Sequence, residues 1–247
     1  MPRPKLGQHF LIKGSILDRI AAAACPEPED LVVEIGPGRG ALTRKLLQRA
    51  ARVVAVEIDP YLADCLRTAF AGEPRIEIIE ADVLRLDLAR FGRAAIAGNL
   101  PYYITSPILD QTARLTPPRA VFLVQKEVAS RLAAHPGERD YGYLTVRTAV
   151  FADVRRLFDV KPAAFRPPPK VDSAVVVLEP RAQALPVEDR EGFVRFVGQC
   201  FRHKRKTIRN NLAEIYGNHV VDAWPEAGLR AEQIAIEHFA AMYQRLL

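Results

Sequence analysis

Short apolar runs alternate along the first two-thirds of the chain with segments whose apolar residues recur every three or four positions. Residues 31–35 form an apolar run that ends at glycines, and residues 41–50 read as a helix with Leu42, Leu46 and Leu47 on one face. Residues 53–58 are β-branched and strand-like, and Pro60 suits the first turn of a helix running to about Phe70. The alternation continues with strands at 75–79, 94–98 and 120–124 and helices at 106–115 and 126–134. Such βα repetition predicts an α/β fold, a mostly parallel sheet covered by helices on both faces.

Two further strands are expected at 154–160 and 173–178, as an antiparallel pair at the sheet edge, which brings the sheet to seven strands. Between them Phe165-Arg166-Pro167-Pro168-Pro169-Lys170 is a stiff extended segment. Residues 180–186 read as a linker, after which Phe193, Phe196, Val197, Cys200 and Phe201 make an apolar helical stripe. Ile234, Phe239 and Met242 mark a last helix. The expected division is a large domain over residues 1–185 and a small all-α domain over residues 186–247.

Composition narrows the function classes. A chain of 247 residues with 49% hydrophobic and 26% charged residues is ordinary for a globular protein. No apolar run is long enough to span a bilayer and no signal-peptide core is present, so a cytoplasmic protein with no membrane partner is expected. Cys25, Cys65 and Cys200 are far apart and read as free thiols in a reducing compartment, and the scattered histidines give no metal site. The net charge of +6 permits a polyanionic partner. Its densest concentration is Arg202, His203, Lys204, Arg205, Lys206 and Arg209, read as a basic helix opposite the aromatic stripe, with Arg202, Lys204, Arg205, Lys206 and Arg209 as the RNA-contact candidates.

Candidate chemistry collects at the predicted strand ends. Glu34-Ile35-Gly36-Pro37-Gly38-Arg39-Gly40 turns the first strand into the first helix, and ligands of open α/β sheets bind beyond such ends. The glycine spacing departs from the dinucleotide pattern, and Pro37 lacks a backbone donor where a pyrophosphate wants one. Glu34 can attract an ammonium or sulfonium, Glu57 can accept ribose hydroxyls, and Asp82 can accept an adenine amino group. Together these acidic residues favour S-adenosylmethionine over NAD. The fourth strand then runs into Asn99-Leu100-Pro101-Tyr102. There the Asn99 carboxamide and a backbone carbonyl can accept hydrogen bonds from an exocyclic amine, Pro101 restrains the backbone, and Tyr102 offers a stacking face.

These stretches resemble the ribosomal RNA adenine N6-dimethyltransferases, most closely the bacterial small-subunit type. The resemblance is carried by Lys5-Leu6-Gly7-Gln8-His9-Phe10-Leu11, by the Glu34 to Gly38 and Asn99 to Tyr102 motifs, and by Gln125-Lys126-Glu127-Val128. Phe165 to Val177 and Arg205-Lys206-Thr207-Ile208-Arg209-Asn210-Asn211-Leu212 complete it, in order along nearly the whole chain. It implies a Rossmann-like methyltransferase core, S-adenosylmethionine as donor, and dimethylation of two adjacent adenines in a hairpin of 16S rRNA late in small-subunit assembly. Gln8, Leu11, Gly36, Glu57, Asp82 and Asn99 match cofactor positions of the family, and His9, Glu34, Gly38, Ile58 and Val83 are assigned to the same site. Asn99, Leu100, Pro101 and Tyr102 form the target-adenine motif, and Phe165 matches an aromatic that faces the base. Arg39 and Tyr103 depart from common family residues.

The expected partner is therefore the small ribosomal subunit, with no DNA, and the chain is expected to act as a monomer. Leu100 and the Arg205 to Leu212 stretch separate it from the large-subunit, macrolide-resistance type. A non-catalytic assembly factor is the alternative from another class, and the retention of Glu57, Asp82, Asn99 and Tyr102 speaks for an enzyme.

Overall fold

The computed structural model describes residues 9–247. A two-residue strand β1 (Phe10–Leu11) leads into helix α1 (Gly14–Ala24), and five strands follow, four of them each succeeded by an α-helix. They run β2 (Glu29–Ile35), α2 (Ala41–Leu46), β3 (Ala50–Glu57), α3 (Pro60–Ala69), β4 (Ile76–Glu80), β5 (Ala95–Asn99), α4 (Thr105–Leu115), β6 (Ala120–Gln125) and α5 (Lys126–Leu132). Helix α6 (Tyr143–Ala149) precedes β7 (Ala152–Val160), β8 (Phe165–Arg166) and β9 (Ser173–Pro180). The chain ends in α7 (Arg190–Cys200), α8 (Ile208–Tyr216), α9 (Asn218–Val221) and α10 (Ile236–Gln244).

The main sheet has seven strands in the order β4-β3-β2-β5-β6-β9-β7. Strands β4, β3, β2, β5 and β6 are mutually parallel, and β9 is antiparallel to β6. Strand β2 lies between β3 and β5, so the chain winds outward in both directions from it and a crevice opens at its carboxyl end. The pairing of Ile35 with Gly98 sets the two motif-bearing loops side by side. A Cβ at position 98 would lie 2.5 Å from the Ile35 carbonyl oxygen, so this register requires glycine there.

Two helices fall outside the sequence-based expectation. Helix α1 buries Ile16, Leu17, Ile20, Ala21 and Ala24 in the core formed with Val32, Ala97, Val121, Val175 and Val177. Helix α6 is the other. The helix expected over residues 41–50 stops at Leu46, because Ala50 is drawn into the sheet opposite Glu29.

Residues through Ala129 together with Val154–Pro180 form one compact unit, and Ser130–Asp153 with Arg181–Leu247 form the other. The second unit thus takes in a segment from the middle of the chain, unlike a single cut after residue 185. Its centre is aromatic, with Phe193 and Phe196 packed against Tyr243 at centroid distances of 5.6 and 5.5 Å and Phe201 against Phe239 at 5.7 Å. The Arg181 guanidinium ties its two segments together, donating to the Ala149 carbonyl and to Glu237. The cysteines are free, and no helix among the described residues is long and apolar enough to cross a membrane.

The basic segment is not a helix. Helix α7 ends at Cys200, and α8 starts after Thr207, whose hydroxyl accepts the Asn210 N–H at 3.3 Å. Arg202 to Lys206 occupy the turn between them, all exposed. Arg209 lies on α8 and forms a two-armed ion pair with Asp222 at 2.5 and 3.2 Å.

Candidate active site

A cavity of about 440 Å³ occupies the crevice at the carboxyl ends of the parallel strands, entirely within the first unit. It is lined by His9, Leu11, Glu34, Gly36, Gly38, Glu57, Ile58, Asp82, Val83, Asn99, Leu100, Pro101 and Tyr102. Gln8 lies outside the described residues. Among the described residues no His, Cys, Asp and Glu cluster is placed to hold a metal ion.

The loop after β2 is held from the end of β3. The Glu57 carboxylate accepts the Gly38 N–H on one oxygen and the Asp59 N–H on the other, both at 3.0 Å. Each oxygen keeps further lone-pair capacity toward the cavity. Gly38 has a left-handed φ of 58°, and a Cβ there would come within 3.0 Å of the Phe10 ring. Glycine therefore lets both the turn and the approach of β1 occur. The Arg39 guanidinium sits 4.9 Å above that same ring.

Glu34 is 1% exposed and accepts the Thr43 hydroxyl at 2.6 Å. Burial pushes its carboxyl up to about 8, the Thr43 bond opposes the shift, and the Glu57 charge adds to it. Burial thus favours the protonated carboxyl of Glu34, where the sequence suggests a standing negative charge. Glu57 is also raised, chiefly by burial. At the end of β4, Asp82 caps the following turn by accepting the Leu84 N–H at 3.0 Å. Gln111 of α4 ties down that turn through the carbonyls of Val83 and Leu86 at 3.1 and 3.2 Å.

The other wall is the turn after β5. The Asn99 side-chain nitrogen donates to the His9 carbonyl at 2.9 Å, which fixes the carboxamide and leaves its oxygen on the opposite side. Leu100 packs its side chain in the core and donates its N–H to the Leu123 carbonyl at 3.1 Å. The Pro101 carbonyl is taken by Ile104 N–H and the Thr105 hydroxyl. The half-buried Tyr102 is held at its hydroxyl, 2.7 Å from the Ser173 hydroxyl, and by the His9 ring at 5.8 Å. His9 Nδ1 meets the Pro167 carbonyl at 2.8 Å, so that nitrogen carries the proton.

Phe165 is placed otherwise than expected. It is 2% exposed, paired with Leu11 through β8 and β1, and packed in the core. It does not line the cavity, whereas its neighbours Arg166 and Pro167 do. The aromatic side chains that do line the cavity are His9, Phe10, Tyr102 and the exposed Tyr103. Sequence reasoning also passed over Thr43, Ser173 and Phe10. Phe10 and Ser173 stand inside the motif stretches, but Thr43 carries no signal beyond its helix position.

Comparison with known proteins agrees with the geometry. The family described as "Ribosomal RNA adenine dimethylase" matches residues 2–246. The ribosomal RNA small subunit methyltransferase A of Acidobacterium capsulatum is 43% identical, covering 99% of this chain and 91% of that protein. Its counterpart from Chlorobaculum parvum is 42% identical, covering 99% and 89%. Among solved structures, a dimethyladenosine transferase from Plasmodium falciparum superposes with a TM-score of 0.81 at 27% identity, covering 97% of this chain and 99% of that one. The 23S rRNA methyltransferase ErmE gives 0.77 at 33%, covering 96% and 99%.

Proposed function

The chain belongs to the ribosomal RNA adenine dimethylase family, and on that premise we propose that it dimethylates N6 of two adjacent adenosines near the 3′ end of 16S rRNA. S-adenosylmethionine is the methyl donor, the small ribosomal subunit during late assembly is the substrate, and the chain works as a monomer in the cytoplasm. The observation that carries this reading is the Asn99 carboxamide, oriented by the His9 carbonyl, in one cavity with Glu34, Glu57 and Asp82.

The cavity fits the donor chemically. Glu57 has acceptor capacity for ribose hydroxyls, Asp82 for an adenine amino group, and Ile58 and Val83 supply apolar faces for the ring. Near a sulfonium, Glu34 would lose its proton and become the counter-charge. Bound there, S-adenosylmethionine supplies an electrophilic methyl group. The protein's task is to make a poor nucleophile react. The adenine N6 lone pair is delocalised into the ring, and hydrogen bonds from N6–H to the Asn99 oxygen and the Leu100 carbonyl draw the nitrogen toward a tetrahedral form. The same acceptors stabilise the positive charge that develops on N6, a preorganised electrostatic effect. Alignment of the two reactants supplies much of the rest. The N6 cation is acidic and loses its proton to solvent, so no strong general base is required.

The target base must leave its stack, at a cost of a few kcal/mol. Stacking on Tyr102, worth about 1–3 kcal/mol, offsets that cost. The Arg202 to Lys206 turn is the phosphate-contacting surface of the second unit, residues 181–247 with 130–153. Arg209 supports it less directly, since Asp222 already holds its guanidinium.

The test is methyl transfer from labelled S-adenosylmethionine to unmethylated small subunits, with large subunits and DNA in parallel, followed by nucleoside mass spectrometry. N6,N6-dimethyladenosine confined to the small subunit is expected. Label in the large subunit would transfer the assignment to 23S rRNA, and binding without label would make the protein an assembly factor.

A further inference from the structure

The second unit holds a buried polar side chain that the methyl-transfer chemistry does not use. Asn211, in the first turns of α8, is 4% exposed. Its carboxamide oxygen accepts the His203 N–H at 3.1 Å. Its nitrogen donates to the Cys200 carbonyl at 3.0 Å and lies 3.3 and 3.5 Å from the carbonyls of His203 and Lys206. An N–H on one side and carbonyls on the other leave one orientation of the amide that satisfies both. The clasp spans the whole turn, from the last residue of α7 to the residue before the cap of α8. A direct bond from the Lys206 N–H to the His203 carbonyl at 2.9 Å closes the turn on itself.

What the turn carries makes the clasp informative. Arg202, Lys204, Arg205 and Lys206 are exposed, and among the described residues no carboxylate forms an ion pair with any of them. Elsewhere in the same unit Arg209, Arg230 and Arg245 each have one, with Asp222, Glu232 and Glu226. Four adjacent unneutralised cations repel one another and favour a spread chain. The turn is folded instead, and its charges are left uncompensated for an anion to meet. A preformed turn loses less conformational entropy on docking than a loose one.

We propose that Asn211 is a positioning residue that holds residues 201–206 as a preformed cationic turn for RNA phosphates, and that affinity for the small subunit depends on it. The proposal rests on the functional reading above. Asparagine is required by its pattern of partners: aspartate would set a carboxylate against carbonyl oxygens, and alanine would leave buried backbone groups unpaired.

The experiment compares wild type, Asn211→Ala and Asn211→Asp for small-subunit binding across a salt series, with limited trypsin cleavage and S-adenosylmethionine binding alongside. Cleavage within residues 202–206 is expected to accelerate at least ~10-fold, because proteolysis follows the population of the open form. Particle Kd should rise about 10-fold and the slope of log K against log salt should shrink by about 1–2, as phosphate contacts are lost. Cofactor affinity should stay unchanged. A variant whose turn opens while particle Kd and salt slope stay as in wild type would overturn the proposal, as would unchanged cleavage. Hydrogen exchange in the wild type covers the case in which a variant does not fold. The His203 and Lys206 amides should be protected in the free protein, and exchange at the rate of an open chain would refute the clasp. Failure of the wild type itself to bind small subunits would strike at the functional reading and remove this proposal with it.

Discussion

The cavity of the first unit and the turn of the second are both held by backbone tethers, but toward opposite ends. In the cavity Glu57 binds Gly38 and Asp59, Asn99 binds His9, and Glu34 is buried against Thr43. These tethered groups are acidic or neutral and individually aimed, although Arg39 and Arg166 also line the cavity. In the turn a single buried amide, Asn211, holds a run of exposed cations that have no local counter-charges. The difference teaches what each step demands. Moving a methyl group needs acceptors fixed to fractions of an ångström, while recognising a polyanion needs charge density kept in one place.

That contrast can be broken by experiment. Replacing Lys204, Arg205 and Lys206 together with glutamine should raise the Kd for small subunits by about 100-fold at low salt and flatten its salt dependence. Cofactor affinity should not move, and a salt slope equal to wild type would remove the turn from recognition. Phe165→Ala tests whether the core placement of that ring is its role. A buried Phe to Ala change costs about 3–5 kcal/mol of stability. Denaturant unfolding should show that loss, while turnover per folded molecule stays within a few-fold. Normal stability with turnover lost would restore Phe165 to the target base.

Smaller effects come from Glu34. Its folded-state carboxyl is raised to about 8 from an ordinary value near 4.5, so the folded protein holds a proton that the unfolded chain releases. The contribution of this group to stability is therefore greatest at low pH and declines as pH rises from about 4.5 to about 8. Glu34→Gln should flatten that part of the stability profile. A ligand sulfonium draws the same proton off, so preference for S-adenosylmethionine over its uncharged thioether product should grow between pH 6 and 8, by up to about 10-fold per unit. Titration calorimetry in buffers of different ionisation enthalpy would detect the released proton, and no release would mean that Glu34 stays protonated beside the ligand.

Much of the cavity was legible in the sequence because its residues interrupt apolar strands. Glycines, acids, asparagine and proline at the ends of β2, β3, β4 and β5 stand out against Val, Ile and Ala, and the parallel order then brings those ends together. Features made by distant pairing were not legible. The resemblance alone set Phe165 against the target base, and the two-residue ladder between β1 and β8 shows that the ring turns inward. Helix α1 hid for a different reason. Its cap residue Lys13 makes no side-chain capping bond, Cys25 rather than glycine ends it, and four alanines blur its apolar spacing. In the basic segment, charges at helical spacing suggested a helix, but Thr207 and Asn211 break the run by capping and clasping the backbone.

The central claim is that Asn99 activates the nucleophile and does not merely bind the donor. Turnover on small subunits and S-adenosylmethionine affinity, measured side by side for wild type and Asn99→Ala, test it most directly. Removing one preorganised acceptor should lower kcat by about 100-fold or more while cofactor Kd changes only a few-fold. A collapse in cofactor affinity that accounts for the whole loss would contradict the account.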